Sequence, residues 1–338
     1  MLAAVLVATG CESSGSGSRT DARSTPSASP SPASAVIRLP PKARPADMVV
    51  SRDGTLWVAE PSLAAIAQIA PSGKVTQHPL PRDGGFAPSP SDLVPSPDGG
   101  IWYAAGDQLG HLSRSGHFTW WDDGTGKGNG PGEGPDVPGF PDALTLGPDN
   151  TVWYEHSAAG DKVFSRVDLK QGPRQITRLD TQFSVVSMTE GPDGAVWFTQ
   201  SEEYDAKQPE GIGRLTPDGK YRKWPLPENS APGALVTGPD RALWFTDCAG
   251  ISRFDTDGDL TRYPVRNATY LGDIAVGTDK SLWFTTGQRI GRITLQGRMT
   301  LWPVPDAEDL GALVPAEDGS FWLADRKADV VRRFTPPR

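Results

Sequence analysis

Seven tryptophans stand in one register of this chain: Trp57, Trp102, Trp153, Trp197, Trp244, Trp283 and Trp322, spaced 39 to 51 residues apart. Four positions before each stands an aspartate: Asp53, Asp98, Asp149, Asp193, Asp240, Asp279 and Asp318. A short apolar run precedes each aspartate, and apolar or threonine residues follow each tryptophan, as in GPDGAVWFTQ at 191–200. Two short strands joined by a tight Asp-containing turn account for this pattern. A second hairpin follows in each unit, clearest as IGRLTPDGKYRKWPLP at 212–227, ISRFDTDGDLTRYP at 251–264 and IGRITLQGRMTLWPVP at 290–305. Each unit therefore holds four antiparallel strands, here lettered a to d. Four strands in every 40 to 50 residues or so describe one blade of a β-propeller.

The last unit stops early. After a c strand at 330–334 only four residues remain, whereas Val36-Ile-Arg-Leu-Pro40 looks like a spare d strand. The expected fold is an all-β, seven-bladed propeller of four-stranded antiparallel blades, its ring closed by the amino-terminal strand so that no sheet edge is left open.

Outside the repeat, residues 1–11 form a short apolar run ending in the lipobox-like sequence Ala8-Thr9-Gly10-Cys11. A run this short is an export signal rather than a spanning helix, which needs about 20 apolar residues. Residues 12–34 are Ser, Pro, Gly and Ala with almost no bulky apolar side chain, the composition of a disordered tether. The expected organisation is thus an export signal (1–11), a tether (12–34) and a propeller (35–338). Lipidation at Cys11 makes the protein extracytoplasmic, at the cell surface or secreted, and it meets the membrane only through the anchor. With 33 basic against 41 acidic residues, a net charge of −8, the chain lacks the basic face of a nucleic-acid binder.

Strands a and b, like c and d, are joined on one face of the disc, the bottom; the other connections form the top. The repeated aspartates fall in bottom turns, where their side chains bond nearby backbone, and the register tryptophans read as packing between blades. Two local motifs are set aside: DTDGD at 255–259 has its glycine too early for a calcium loop, and GTGKG at 124–128 lacks the Ser or Thr and the helix of a phosphate loop.

The informative positions are top-face residues that differ between copies. Three residues after each register Trp stand Glu60, Ala105, His156, Gln200, Asp247, Thr286 and Asp325. Long loops at 121–142, with Asp122, Asp123 and Asp142, and at 202–210, with Tyr204, also fall on this face. Long loops on a rigid scaffold are where recognition concentrates. The expected ligand-contacting residues are Glu60, Gln200, Asp247, Asp142, Asp122, Asp123 and Tyr204, around an acidic mouth suited to a small molecule, peptide or glycan. Of the four histidines only His156 reaches this face, and it is the one candidate acid or base. Cys248 is left without a disulfide partner. The protein is expected to be a monomer.

The strings GPDGAVWFTQ, GPDRALWFTD and TDKSLWFTT, each followed by a version of IGRITxxGxxxxxPxP, resemble the virginiamycin B lyase family of seven-bladed propellers over residues 36–335. The resemblance implies opening of a cyclic depsipeptide ester by elimination, with a metal-binding Glu at the end of strand b in the last blade. That position is Asp325, with Glu60 as a neighbour across the closure, and the implied cation is magnesium or another divalent ion. The residues themselves require no cofactor. The family's histidines at the start of strand a in the last two blades correspond to Gly272 and Gly311, and no blade carries a His in that slot. Three functions stay open: a ligand-binding module using the acidic top face; a metal-dependent lyase or lactonase-like hydrolase acting on a cyclic ester; and a cell-surface interaction scaffold.

Overall fold

The computed structural model describes residues 35–81, 88–106, 108–121, 140–147, 151–158, 161–168, 172–179, 183–202, 210–248, 250–268 and 270–337. The chain divides into two units, Met1–Ser31 and Pro32–Arg338, and all the described residues belong to the second. The expected export signal, Cys11 and the whole of the tether lie outside the described residues. So do Asp122, Asp123 and Tyr204, and the side chain of Asp142. Among the described residues no helix is long and apolar enough to cross a membrane.

The strands form seven four-stranded antiparallel sheets. Six run a-b-c-d in chain order; the fourth, for instance, is Phe183–Glu190, Val196–Glu202, Gly211–Leu215 and Tyr221–Pro225. The seventh takes Leu310–Pro315, Phe321–Asp325 and Val330–Phe334 from the end of the chain and its d strand, Val36–Arg38, from the beginning. Val36, Ile37 and Arg38 pair with Arg332, Val331 and Val330, so the expected closure is present. Each a strand touches the a strands of both neighbouring blades, which places the a strands around the central channel. Seven apolar clusters fill the seven wedges between adjacent blades.

The repeated letters are contact partners of one another. In the fourth blade the indole N–H of Trp197 donates to Asp193 at 2.9 Å, and Arg214 of strand c donates from Nε to the other oxygen of the same carboxylate at 2.6 Å. Trp244, Asp240 and Arg253 repeat the arrangement in the fifth blade, and Trp283, Asp279 and Arg292 in the sixth. Burial opposes ionisation of these aspartates, but bonds from the indole and guanidinium outweigh it and hold their carboxyls below the usual range. The expectation of simple turn aspartates is therefore met and extended, since each also pins strand b to strand c. In the second blade His111 stands 3.2 Å from Asp98 in place of the arginine.

The glycines follow from close approach. A Cβ on Gly191 would fall 2.0 Å from Trp197 Cδ1, and one on Gly213 would fall 2.2 Å from the Phe198 ring. The tryptophans then spread between blades. Trp197 stacks on Trp224 of its own blade at 5.1 Å and meets Phe254 of the next edge-on at 6.4 Å, while Trp283 stacks on Trp302 and reaches Phe321 of the next blade at 4.6 Å.

Candidate functional site

The residues that end the b strands do not line the mouth. Glu60, His156, Gln200 and Asp325 have no exposed surface, Thr286 has 1% and Asp247 5%. Both faces of a blade are covered by its neighbours, so a side chain at this step enters a wedge rather than the channel. Each is bonded locally. Gln200 accepts from Tyr221 at 3.0 Å, and His156 Nε2 lies 3.3 Å from Ser165 Oγ with its ring stacked on Tyr154. Asp247 accepts from Gly250 N and Ser252 Oγ and is paired with Arg262 at 3.2 Å. Glu60 accepts from Gln77 at 3.2 Å. Cys248 is exposed and donates its thiol to the Asn229 carbonyl.

Asp325 carries the most. Its carboxylate accepts from the backbone of Glu308 and Asp309 and from Arg332 Nε, each at 3.0 Å. Arg332 is itself buried and also bonds the carbonyls of Pro305 and Asp306. A guanidinium on the carboxylate occupies the place a cation needs, and among the described residues no three His, Cys, Asp or Glu side chains gather closely enough to hold a metal. These residues therefore do not fit the divalent cation implied by the resemblance.

The two glycines beside Asp325 are filled positions rather than vacancies. Gly272 N donates to Thr285 O at 2.9 Å, and a Cβ at Gly272 would lie 2.4 Å from Thr285 Oγ1, which bonds the Gly311 carbonyl. At Gly311 a Cβ would meet Arg326, 3.2 Å from its Cδ. Arg326 belongs to a cluster that sequence reasoning missed. Its Nη2 donates to Tyr270 Oη at 3.0 Å, its Nε and Nη2 reach Asp309 at 3.2 Å, and its guanidinium lies 5.4 Å from the Tyr270 ring centre. Tyr270 in turn donates to Asp309 and lies 2.8 Å from the Leu310 carbonyl. Burial, with the Asp309 carboxylate beside it, pushes the phenol up to about 12, so it stays a hydrogen-bond donor at neutral pH. The cluster remains open to solvent at Arg326, whose side chain is 41% exposed.

A second group missed from sequence lies at the start of the a strands. Asp47, Asp92 and Asp273 each reach across to the next blade, accepting from Leu93 N at 2.7 Å, Leu144 N at 2.7 Å and Leu313 N at 2.9 Å. Ser187 makes the same bridge to Leu235 N. The three aspartates are partly open to the channel yet enclosed by protein. That enclosure, with mutual repulsion, holds the Asp47 carboxyl well above the usual range, and burial pushes Asp273 up to about 6. Burial likewise pushes the Asp92 carboxyl up to about 6. The throat is therefore acidic, through residues other than those expected. Comparing the slot six places before each repeated Asp, rather than seven, exposes them: Asp47, Asp92, Ala143, Ser187, Ala234, Asp273 and Ala312. Away from this face a cavity of about 450 Å³ opens between the bottom turns of the sixth and seventh blades, lined by Trp302, Arg292 and the carboxy-terminal prolines.

The sequence profile of the virginiamycin B lyase family matches residues 135–337. The chain belongs to the virginiamycin B lyase family. A virginiamycin B lyase of Nocardia farcinica is 28% identical over 206 residues, a match spanning 60% of this chain and 62% of that protein. A streptogramin B lyase structure superposes with a TM-score of 0.73 at 25% identity, covering 89% of this chain and 96% of the other. The catalytically inactive virginiamycin B lyase of Staphylococcus aureus, solved with quinupristin, gives the same TM-score at 24% identity, over 90% of this chain and 99% of its own, and at that identity speaks for the fold alone. Membership fixes the scaffold.

Proposed function

We propose that this member of the virginiamycin B lyase family is a ligand-binding propeller rather than a streptogramin-opening enzyme, held outside the cytoplasm by a lipid on Cys11. The observation that carries this reading is the refilling of the two histidine positions. Gly272 and Gly311 are covered by Thr285 and Arg326, so no imidazole stands at either position. Elimination from a cyclic ester needs a base beside the acidic C–H. His156, the candidate, is buried in the third blade against Ser165 and Tyr154. The metal-dependent hydrolase reading is not favoured by any contact, because Glu60, Asp247 and Asp325 sit in three different blades and Asp325 is committed to Arg332.

The same region is well furnished for binding. The guanidinium of Arg326, the phenol of Tyr270 and the carboxylate of Asp309 present donors and an acceptor at the mouth, above a throat carrying Asp47, Asp92 and Asp273. A peptide-like small molecule offers the complementary groups: carbonyl or carboxylate oxygens for the arginine and amines for the acidic throat. The test incubates purified protein with quinupristin and magnesium and follows the ring-opened product by chromatography. The expected result is no product beyond the protein-free control; ring opening with repeated turnover overturns the reading.

A further inference from the structure

On the bottom side of the ring, the aromatic ring of one d strand is covered by the c to d turn of the next blade. Gly116 lies against His78, Gly258 against Trp224 and Gly297 against Tyr263, so closely that a Cβ would fall 3.1, 3.0 and 2.3 Å from the ring. Trp302, in the d strand Met299–Pro303 of the sixth blade, belongs to the same series. It stacks on Trp283 of its own blade at 5.4 Å, as Trp224 does on Trp197. It also meets Phe334, the last residue of strand c in the next blade, as Trp224 meets Phe254. Only its cover differs. The seventh sheet takes its d strand from Val36–Arg38, so Phe334 leads into Thr335-Pro336-Pro337 instead of a turn back along the sheet.

The cavity of about 450 Å³ between the bottom turns of the sixth and seventh blades lies there, against Trp302. Pockets that hold small molecules run from about 300 to 1,000 Å³, so this one has room for a ligand of two small rings. Its floor is apolar: Trp302 is half-buried, with Trp283 and Phe321 buried behind it. Its rim is polar and carries both donors and acceptors. Arg292 and Asp279 are paired at 2.6 Å on the sixth blade, Asp318 takes bonds from Ser320 and Arg333 on the seventh, and Thr278 adds a hydroxyl. The Ser320 bonds, with Arg333 beside them, hold the Asp318 carboxyl below the usual range, and Asp279 is held there too. Both are therefore ionised acceptors at neutral pH, and a carboxylate has about four lone-pair sites, more than these partners fill.

We infer that this cavity is a binding site for a neutral sugar of about disaccharide size, on the face of the disc opposite the acidic throat. A pyranose has a face of C–H groups that lies flat on an indole, here that of Trp302, and a rim of hydroxyls that both donate and accept. The hydroxyls donate to Asp279 and Asp318, and their oxygens accept from Arg292 and from the Thr278 hydroxyl. The two guanidiniums and two carboxylates of the rim cancel, which favours an uncharged ligand over an anion or a cation. A proline-rich peptide also stacks on tryptophan, but its prolines have no N–H to offer, so both carboxylates would face it without a donor. The site is a product of the closure, because the strand that completes the seventh blade arrives without the turn that covers this aromatic elsewhere in the ring.

The test is calorimetric titration of the full chain with cellobiose, maltose, lactose and N,N′-diacetylchitobiose. The expected result is binding of at least one of them with a dissociation constant below about 1 mM, weakened at least about tenfold in Trp302→Leu. Because Trp302 also packs between blades, Thr335→Trp serves as the second variant. Thr335 is exposed at the edge of the cavity, and an indole there fills the space while leaving the core as it is. The same loss of affinity is expected. Three results each overturn the inference: none of the four sugars binding below about 1 mM, an affinity unchanged in either variant, or binding of octaproline in preference to all four sugars.

Discussion

The two faces of the disc use the same residue types to opposite effect. On the bottom, Asp193, Asp240 and Asp279 each bind a tryptophan N–H and an arginine in near-identical geometry. On the top, Asp47, Asp92 and Asp273 bridge from blade to blade in only three of the seven units, and Asp309 holds an arginine and a tyrosine in one. Bottom aspartates are pulled below the usual range by those partners, whereas throat aspartates are pushed above it by burial. An aspartate repeated around the ring secures the blade, and one present in few copies shapes the mouth.

Asp325 is the residue on which that contrast is most easily broken. It belongs to the variable top series, yet it is fully buried on Arg332 and two backbone amides. Asp325→Ala leaves a buried guanidinium without its anion, and the expected loss is about 3–5 kcal/mol in urea unfolding. A loss under about 1 kcal/mol would return Asp325 to the functional residues. Next in size, Asp240→Ala removes the acceptor shared by Trp244 and Arg253, with an expected loss of about 1–3 kcal/mol by the same measurement. No measurable loss would mean that the bottom regularity is inherited rather than stabilising.

The smallest effect concerns the throat and is one of pH. Because Asp273 is raised to about 6 in the folded ring, its contribution is present below the ordinary carboxylate range and is lost as pH rises toward 6. Asp273→Asn keeps an oxygen for Leu313 N and removes the charge. The melting temperature of the variant is expected to fall less than that of the parent between pH 4 and pH 7. Parallel curves would remove the acidic throat as an energetic feature.

The scaffold was readable because its consensus letters touch one another. Gly191 lies beneath Trp197, Asp193 takes its N–H, Gly213 makes room for Phe198, and Arg214 closes on Asp193, so any copy reports on the rest. The closure was readable because a d strand was missing at one end and spare at the other. The site was not readable in the same way. Arg326 meets partners 56 and 17 residues away, at loop positions whose residue type changes from blade to blade, and repetition carries no signal for a feature present once. The b-strand termini misled for a geometric reason. Their step lies on the top side of each blade, but wedge packing buries it, and Glu60, His156, Gln200 and Asp325 are enclosed between blades.

The strand borrowed by the seventh sheet has a consequence for the gene. Because Val36–Arg38 pairs with Val330–Phe334, the unit that repeats along the coding sequence runs d-a-b-c and is offset by one strand from the unit that packs in space. A tandem duplication of that coding unit adds a whole blade while the same two ends still meet. In such a duplication every strand keeps the partners its sheet requires, and the closing pair remains Val36–Arg38 with Val330–Phe334.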